Sequence, residues 1–213
     1  LGLAAILTSP RFLYLDEGDE NQNTALSAFE LASRLSYFIW NSMPDDELFR
    51  IARENRLNEP NVIREQVERM LQDPKSSVFI ENFADSWLRL NELGSMPPDS
   101  KTFKSYYRHR LESAMKQETY YFLQDLLKEN GSIFELLNSQ HTFVNDSLAT
   151  HYGLEGEFGE GFQKISIPES LHRGGLLGQA SVLTVTANGV ETSPVTRGVW
   201  ILENLLGSPP SPP

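Results

Sequence analysis

The chain has 213 residues and a formal net charge of -11, with 29 Asp and Glu against 18 Lys and Arg. An acidic surface repels phosphate backbones, so general nucleic-acid binding is disfavoured, and no apolar run reaches the ~20 residues that a membrane span needs. The lack of cysteine removes disulfides, thiol nucleophiles, thiolate zinc sites and thioether-linked haem from these residues. What remains is 39% hydrophobic, with 12 Phe, 7 Tyr and 3 Trp, enough for a real core.

Residues 1–7 read as the end of a helix that begins upstream, so the chain is expected to be a piece of something longer. Thr8, Ser9 and Pro10 break this helix, and residues 11–15 continue as an apolar extension. Residues 16–23 form an acidic polar loop that lacks the regular oxygen-ligand spacing of a calcium loop. Thr24 is the expected cap of a helix over residues 25–40, with Leu31, Leu35, Phe38 and Ile39 on one face. Ser42, Pro44 and Asp45 give a second start signal. The Asp45, Asp46 and Glu47 cluster suits the positive end of that helix, though paired acids can also mimic a catalytic pair.

Glu59 and Pro60 open a helix with Val62, Ile63, Val67, Met70 and Leu71 apolar. Asp73 and Pro74 stop it and start another that runs to about Leu90, with Phe83 and Trp87 on its apolar face. The longest periodic segment spans residues 101–130 and carries an aromatic stripe of the kind core packing produces. Gly131 is its expected C-cap, and Ser132 with Glu135 a capping box for a short helix. From residue 141 the texture changes. Residues 141–144 and 162–167 have strand character and are expected to pair. Asn145 and Asp146 can cap a short helix that Gly153 ends. Ser193 and Pro194 open a last helix to about residue 206, and residues 208–213 form an extended proline-rich tether. The pattern predicts a mainly α fold, a multi-helix orthogonal bundle with at most a small two-stranded β element. The expected organisation is a tail of a preceding module (1–15), an N-terminal helical module (16–140), a C-terminal helix-loop-helix module (141–207) and the tether (208–213).

The search for chemistry gives few candidates. No G-x-S-x-G elbow, G-x-G-x-x-G run or phosphate loop is present. Among the histidines, His141 and His151 lie near Asp146 and form the one weak candidate metal set. The most specific local pattern runs from His172 to Trp200. There Arg173 and Arg197 flank a polar loop with Asn188, Glu191, Thr192 and Ser193. One reading makes this a corner whose arginines bond loop carbonyls. The other makes it a docking surface, since loops on a rigid scaffold often carry function.

The stretches LASRLSYFIWNSMPDDEL (31–48), QVERMLQDPKS (66–76), TFVNDSLATHYGL (142–154) and RGGLLGQASVLTVTANGVETSPVTRGVWILENLLGSPP (173–210) resemble adjacent domains of unknown function in large planctomycete-type multidomain proteins. Those proteins are similar to secreted cytochrome c-type proteins. The resemblance implies a periplasmic or extracellular setting, and partners that are other domains of the same polypeptide. It also implies a c-type haem on a C-x-x-C-H segment beyond the proline-rich stretch, and none in these residues. It supplies no catalytic residues. The expected function is therefore a non-catalytic interaction module that positions a haem-bearing segment. The alternative is an enzyme or binding domain acting on extracellular polymer or carbohydrate, with Asp45, Asp46 or Glu191 as its acids.

Overall fold

A computed structural model describes residues 2–13 and 26–211. The architecture is mainly α, with a single two-stranded antiparallel sheet among the described residues. The expected acidic loop at 16–23 and the cap at Thr24 lie outside the described residues. Two compact units emerge, Leu1–Phe79 and Ile80–Pro213. The module boundary expected at 140/141 falls inside the second unit, because the strand that starts at His141 packs on the long helix before it.

The first unit begins with α1 (Gly2–Leu7) and α2 (Pro10–Leu13). The next helix, α3 (Ala28–Trp40), is opened by a capping box. Ser27 Oγ accepts from the Glu30 amide, and Glu30 reaches back to the Ser27 amide at 2.7 Å. Two terminal N–H groups are thereby satisfied reciprocally. The helix buries Ala28, Ala32, Ser36, Ile39 and Trp40 rather than the expected Leu and Phe stripe. Leu31 and Leu35 sit at the edge of the core, and Phe38 is 67% exposed with its ring against Phe79.

Helix α4 (Asp46–Arg53) starts one signal later than expected. Its cap is Asp45, which accepts from the Leu48 amide at 2.9 Å. Ser42 does not cap: its carbonyl accepts from Ser36 Oγ, and its own hydroxyl is buried without a partner. Asp45 also receives Arg69 of α5 (Pro60–Gln72), at 2.7 Å. The core of this unit gathers Trp40, Leu48, Ile51, Leu57, Val62 and Met70. Trp40 donates its indole N–H to the Met70 carbonyl at 3.0 Å.

Helix α6 (Ser77–Trp87) leads into the second unit. Trp87 is only partly buried and donates to the Asn204 carbonyl. The long segment expected over 101–130 is two helices, α7 (Lys104–Arg108) and α8 (Leu111–Lys128). The break is at Arg110, whose left-handed φ of 49° ends one helix and redirects the next. At the far end of α8 the left-handed residue is Asn130 (φ 47°), not Gly131.

Helix α8 is the spine of the second unit. It buries Leu111, Met115, Phe122 and Leu123, and on the same stripe Glu118 and Thr119. The short α9 (Glu135–Asn138) leads to strand β1 (His141–Val144), which packs on α8. Strand β2 (Gln163–Ser166) pairs with it in the register His141 with Ser166 and Val144 with Gln163, as the alternating pattern predicts. Between the strands lies α10 (Asp146–Tyr152). Asn145 caps it, and Gly153 closes it at φ 69°. Helix α11 (Ala180–Val185) and helix α12 (Pro194–Trp200) complete the unit. A five-residue π-helical stretch, Ile201–Leu205, extends α12.

Candidate functional site

The turn between α11 and α12 is built from local bonds. Thr186 is fully buried, and its hydroxyl donates to the Val182 carbonyl at 2.7 Å. Ala187 and Thr192 pair as an isolated antiparallel bridge. Between them Asn188 Oδ1 accepts from the amides of Val190 (3.0 Å) and Glu191 (2.8 Å). This is the side-chain mimic of a turn that Asn favours. Gly189 has φ 80°, and a Cβ there would stand 2.9 Å from the Pro97 carbonyl oxygen. Its own carbonyl accepts from the Asp99 amide at 2.8 Å, tying the turn to the 96–99 segment.

Both candidate arginines are engaged within the chain. Arg197 donates through Nε to Thr186 Oγ1 (3.1 Å) and through Nη2 to the Leu183 carbonyl (3.3 Å). Arg173 donates to the Gly178 carbonyl at 2.6 Å and lies 4.2 Å from the Tyr152 ring centroid. Its partners therefore differ from those of the other five candidates. Asn188, Glu191 and Thr192 come together in the turn, and Ser193 stands at the N-cap position of α12. Ser193 Oγ bonds to Thr196 Oγ1 at 2.7 Å rather than to a backbone amide.

One side of the turn opens onto a groove of about 330 Å³. Val190, Glu191 and Thr192 form one wall. Met96, Phe103, Tyr106 and Met115 supply an apolar floor and far side, and His151 lines it as well. Met96 is 62% exposed, Phe103 39% and Val190 66%. Partial burial, together with the nearby Arg173 guanidinium, lowers the His151 pKa, which favours its neutral form.

A buried polar cluster centres on Glu118. Glu118 is 1% exposed. Thr142 Oγ1 and the Tyr152 hydroxyl each donate to its carboxylate at 2.6 Å. Tyr152 in turn accepts from the Ala180 amide at 2.9 Å. One residue along, Thr119 Oγ1 meets Gln179 Oε1 (2.8 Å) and Ser181 Oγ (2.6 Å). Burial pushes the Glu118 pKa up to about 7, against the hydrogen bonds and the Arg173 charge that lower it. Sequence reading did not single out Glu118. Its signal was present: an acid at helical spacing between Met115 and Phe122, on the stripe that otherwise packs inward.

The remaining candidates do not converge. Among the described residues no three His, Asp or Glu side chains form a metal-holding group. His141 points Nε2 to Asp125 Oδ2 (3.3 Å), with Nδ1 at Ser139 Oγ (2.9 Å). That chain of atoms has the order of a nucleophile, a base and an acid. Ser139, however, is 3% exposed, and its hydroxyl also takes the His141 amide at 3.2 Å. It locks the approach to β1. Asp146 occupies the first turn of α10, and Asp45 is held by its helix and Arg69.

Comparison with known families places this geometry. The family of proteins of unknown function DUF1592 (PSD4) matches residues 26–154. A second family, DUF1588 (PSCyt3), also of unknown function, matches residues 173–213. The spine α8, the β1 strand and α10 thus lie in the first match; Arg173, α11, the corner and α12 lie in the second. No curated protein and no solved structure matches the chain.

Proposed function

The chain belongs to the DUF1592 family and carries a DUF1588 segment after the intervening residues 155–172, and from that membership we propose that it acts as a non-catalytic interaction module of a multidomain polypeptide. The groove beside the 186–192 turn is its docking surface, and a neighbouring domain is the occupant. The observation that carries this reading is the groove itself. Met96, Phe103 and Val190 stay exposed around the groove, while Asn188 and Arg197 are spent on bonds within the corner. Exposed apolar side chains gathered along one groove supply the kind of surface that a domain contact uses. Arg197 keeps the corner rigid; the contact is made by the side chains of Val190, Glu191, Phe103 and Met96.

The family name PSCyt3 supports a cytochrome c-associated parent protein, and an extracytoplasmic setting belongs to the same reading. The chain has no cysteine, so its residues do not fit a thioether-linked haem. Its part would be to position a haem-bearing neighbour.

The test is Val190→Asp in the parent polypeptide. The isolated chain should melt within a degree or two of wild type, since Val190 is exposed. The neighbouring domain should become more sensitive to limited proteolysis. Unchanged proteolysis at an unchanged melting temperature contradicts the docking role.

A further inference from the structure

We propose that Glu118 is a proton-operated clasp: the state of its carboxyl sets how firmly the start of the DUF1588 segment is held against the DUF1592 core. The inference does not rest on the docking reading above.

The geometry is a convergence of four elements on one carboxyl. Glu118 belongs to α8, Thr142 to β1 and Tyr152 to α10. Through the Tyr152 hydroxyl the cluster reaches the Ala180 amide at the start of α11. Tyr152 also faces the Arg173 guanidinium at 4.2 Å. The three helix and strand partners lie in the first family match, and Ala180 and Arg173 in the second. The segment between them is seated tightly. Gly175 has φ 54°, and a Cβ there would fall 2.5 Å from the Leu136 carbonyl oxygen, while Leu176 is fully buried. A small cavity of about 10 Å³ remains beside Glu118, lined by Thr142, Tyr152 and Arg173 and by the apolar Leu154, Ile165 and Ile167. That is at the lower limit for one water molecule.

Two effects oppose each other at this carboxyl. As an anion it is well matched, because two hydroxyls donate to it and a guanidinium lies nearby. As a buried charge it is costly, since the groups around the cavity are mostly apolar. The titratable and charged groups that face it are Tyr152 from α10 and Arg173 from the loop. Thr142 of β1, Gln179 and the α11 amide are neutral. His151, next to Tyr152, shares the field of Arg173. Burial outweighs the favourable partners and pushes the carboxyl up to about 7. The sign follows from linkage. A carboxyl whose folded value is raised stabilises the fold fully below its ordinary range, and this contribution is lost as pH rises through about 7. The clasp is therefore tighter at pH 5.5 than at pH 8.

The experiment is hydrogen exchange on the unaltered full chain, corrected for the intrinsic pH dependence of exchange. Protection of the amides at 174–183 should fall by about tenfold or more between pH 5.5 and pH 8, the size one displaced proton allows. Glu118→Gln keeps the shape and removes the proton. It should flatten this pH dependence while leaving protection at pH 5.5 similar. Equal pH dependence in wild type and Glu118→Gln overturns the proposal. Should Glu118→Gln fail to fold, the wild-type exchange decides: constant protection between the two pH values overturns the proposal.

Discussion

Tyr152 donates its hydroxyl to the buried carboxylate of Glu118 across 2.6 Å, and the same oxygen accepts the Ala180 amide. One phenol oxygen thereby satisfies two buried groups from different stretches of the chain. Tyr152→Phe leaves both without a partner. It is expected to cost about 1–3 kcal/mol, the penalty for stranding buried polar groups. The loss should be greater at pH 8, where the carboxylate needs its donor most. Urea unfolding at pH 5.5 and pH 8 measures both values.

Asp45 serves the first unit in two ways, capping α4 and pairing with Arg69. Partial burial raises its pKa, but the Arg69 bonds and the Leu48 amide outweigh burial and leave it lowered. A depressed carboxyl stabilises the fold above its unfolded value and loses that contribution as pH falls through the folded one. Asp45→Ala should lower stability by about 0.5–2 kcal/mol, typical of a lost N-cap. It should also reduce the sensitivity of the melting temperature to pH below the ordinary aspartate range. Melts at neutral pH and at pH 3 check the two effects.

Two glycines of the DUF1588 segment should respond in opposite directions. Gly189 combines φ 80° with the close approach of the Pro97 carbonyl. Gly189→Ala should destabilise by more than about 1 kcal/mol, because a side chain is strained there whatever the space. Gly198 lies inside α12, and a Cβ there would meet nothing within 4 Å. Gly198→Ala should be neutral or stabilising by up to about 1 kcal/mol from helix propensity. Thermal melts of the two variants, side by side, test the assignment of turn and helix.

Arg197 and Ser193 separate scaffold from ornament at the corner. Arg197 holds Thr186 and the Leu183 carbonyl, so Arg197→Ala should cost about 1.5–3 kcal/mol, as for hydrogen bonds from a charged donor. Ser193 occupies a cap position, but its hydroxyl meets Thr196 and not the backbone. Ser193→Ala should stay within about 0.5 kcal/mol. Chemical denaturation of the isolated chain gives both numbers.

The residues that punctuate the backbone were legible in the sequence. Pro60 and Asp73 bound α5, Asn145 and Gly153 bound α10, and the alternation at 141–144 and 162–167 marks the paired strands. The break between α7 and α8 was not, because Arg110 carries no turn signature in the sequence and yet takes a left-handed backbone. Phe38 was misplaced for a related reason: helical spacing gives an apolar stripe, while the neighbours decide which residue of it is buried. At the candidate site the polar loop with Asn188, Glu191 and Thr192 could be read directly. The groove could not, since Met96, Phe103 and Tyr106 join Val190 from a distant part of the sequence. Arg173 and Arg197 looked like a matched pair in the sequence, and the fold sends them to different partners.

The docking role is tested most directly by hydrogen exchange at the groove, comparing the isolated chain with the parent polypeptide. If a neighbouring domain occupies the groove, amides at 187–192 and 103–106 should exchange more slowly in the parent, while those of α4 and α5 in the first unit keep their rates. Identical rates at 187–192 and 103–106 in the two samples, with the neighbouring domain folded, would contradict the account.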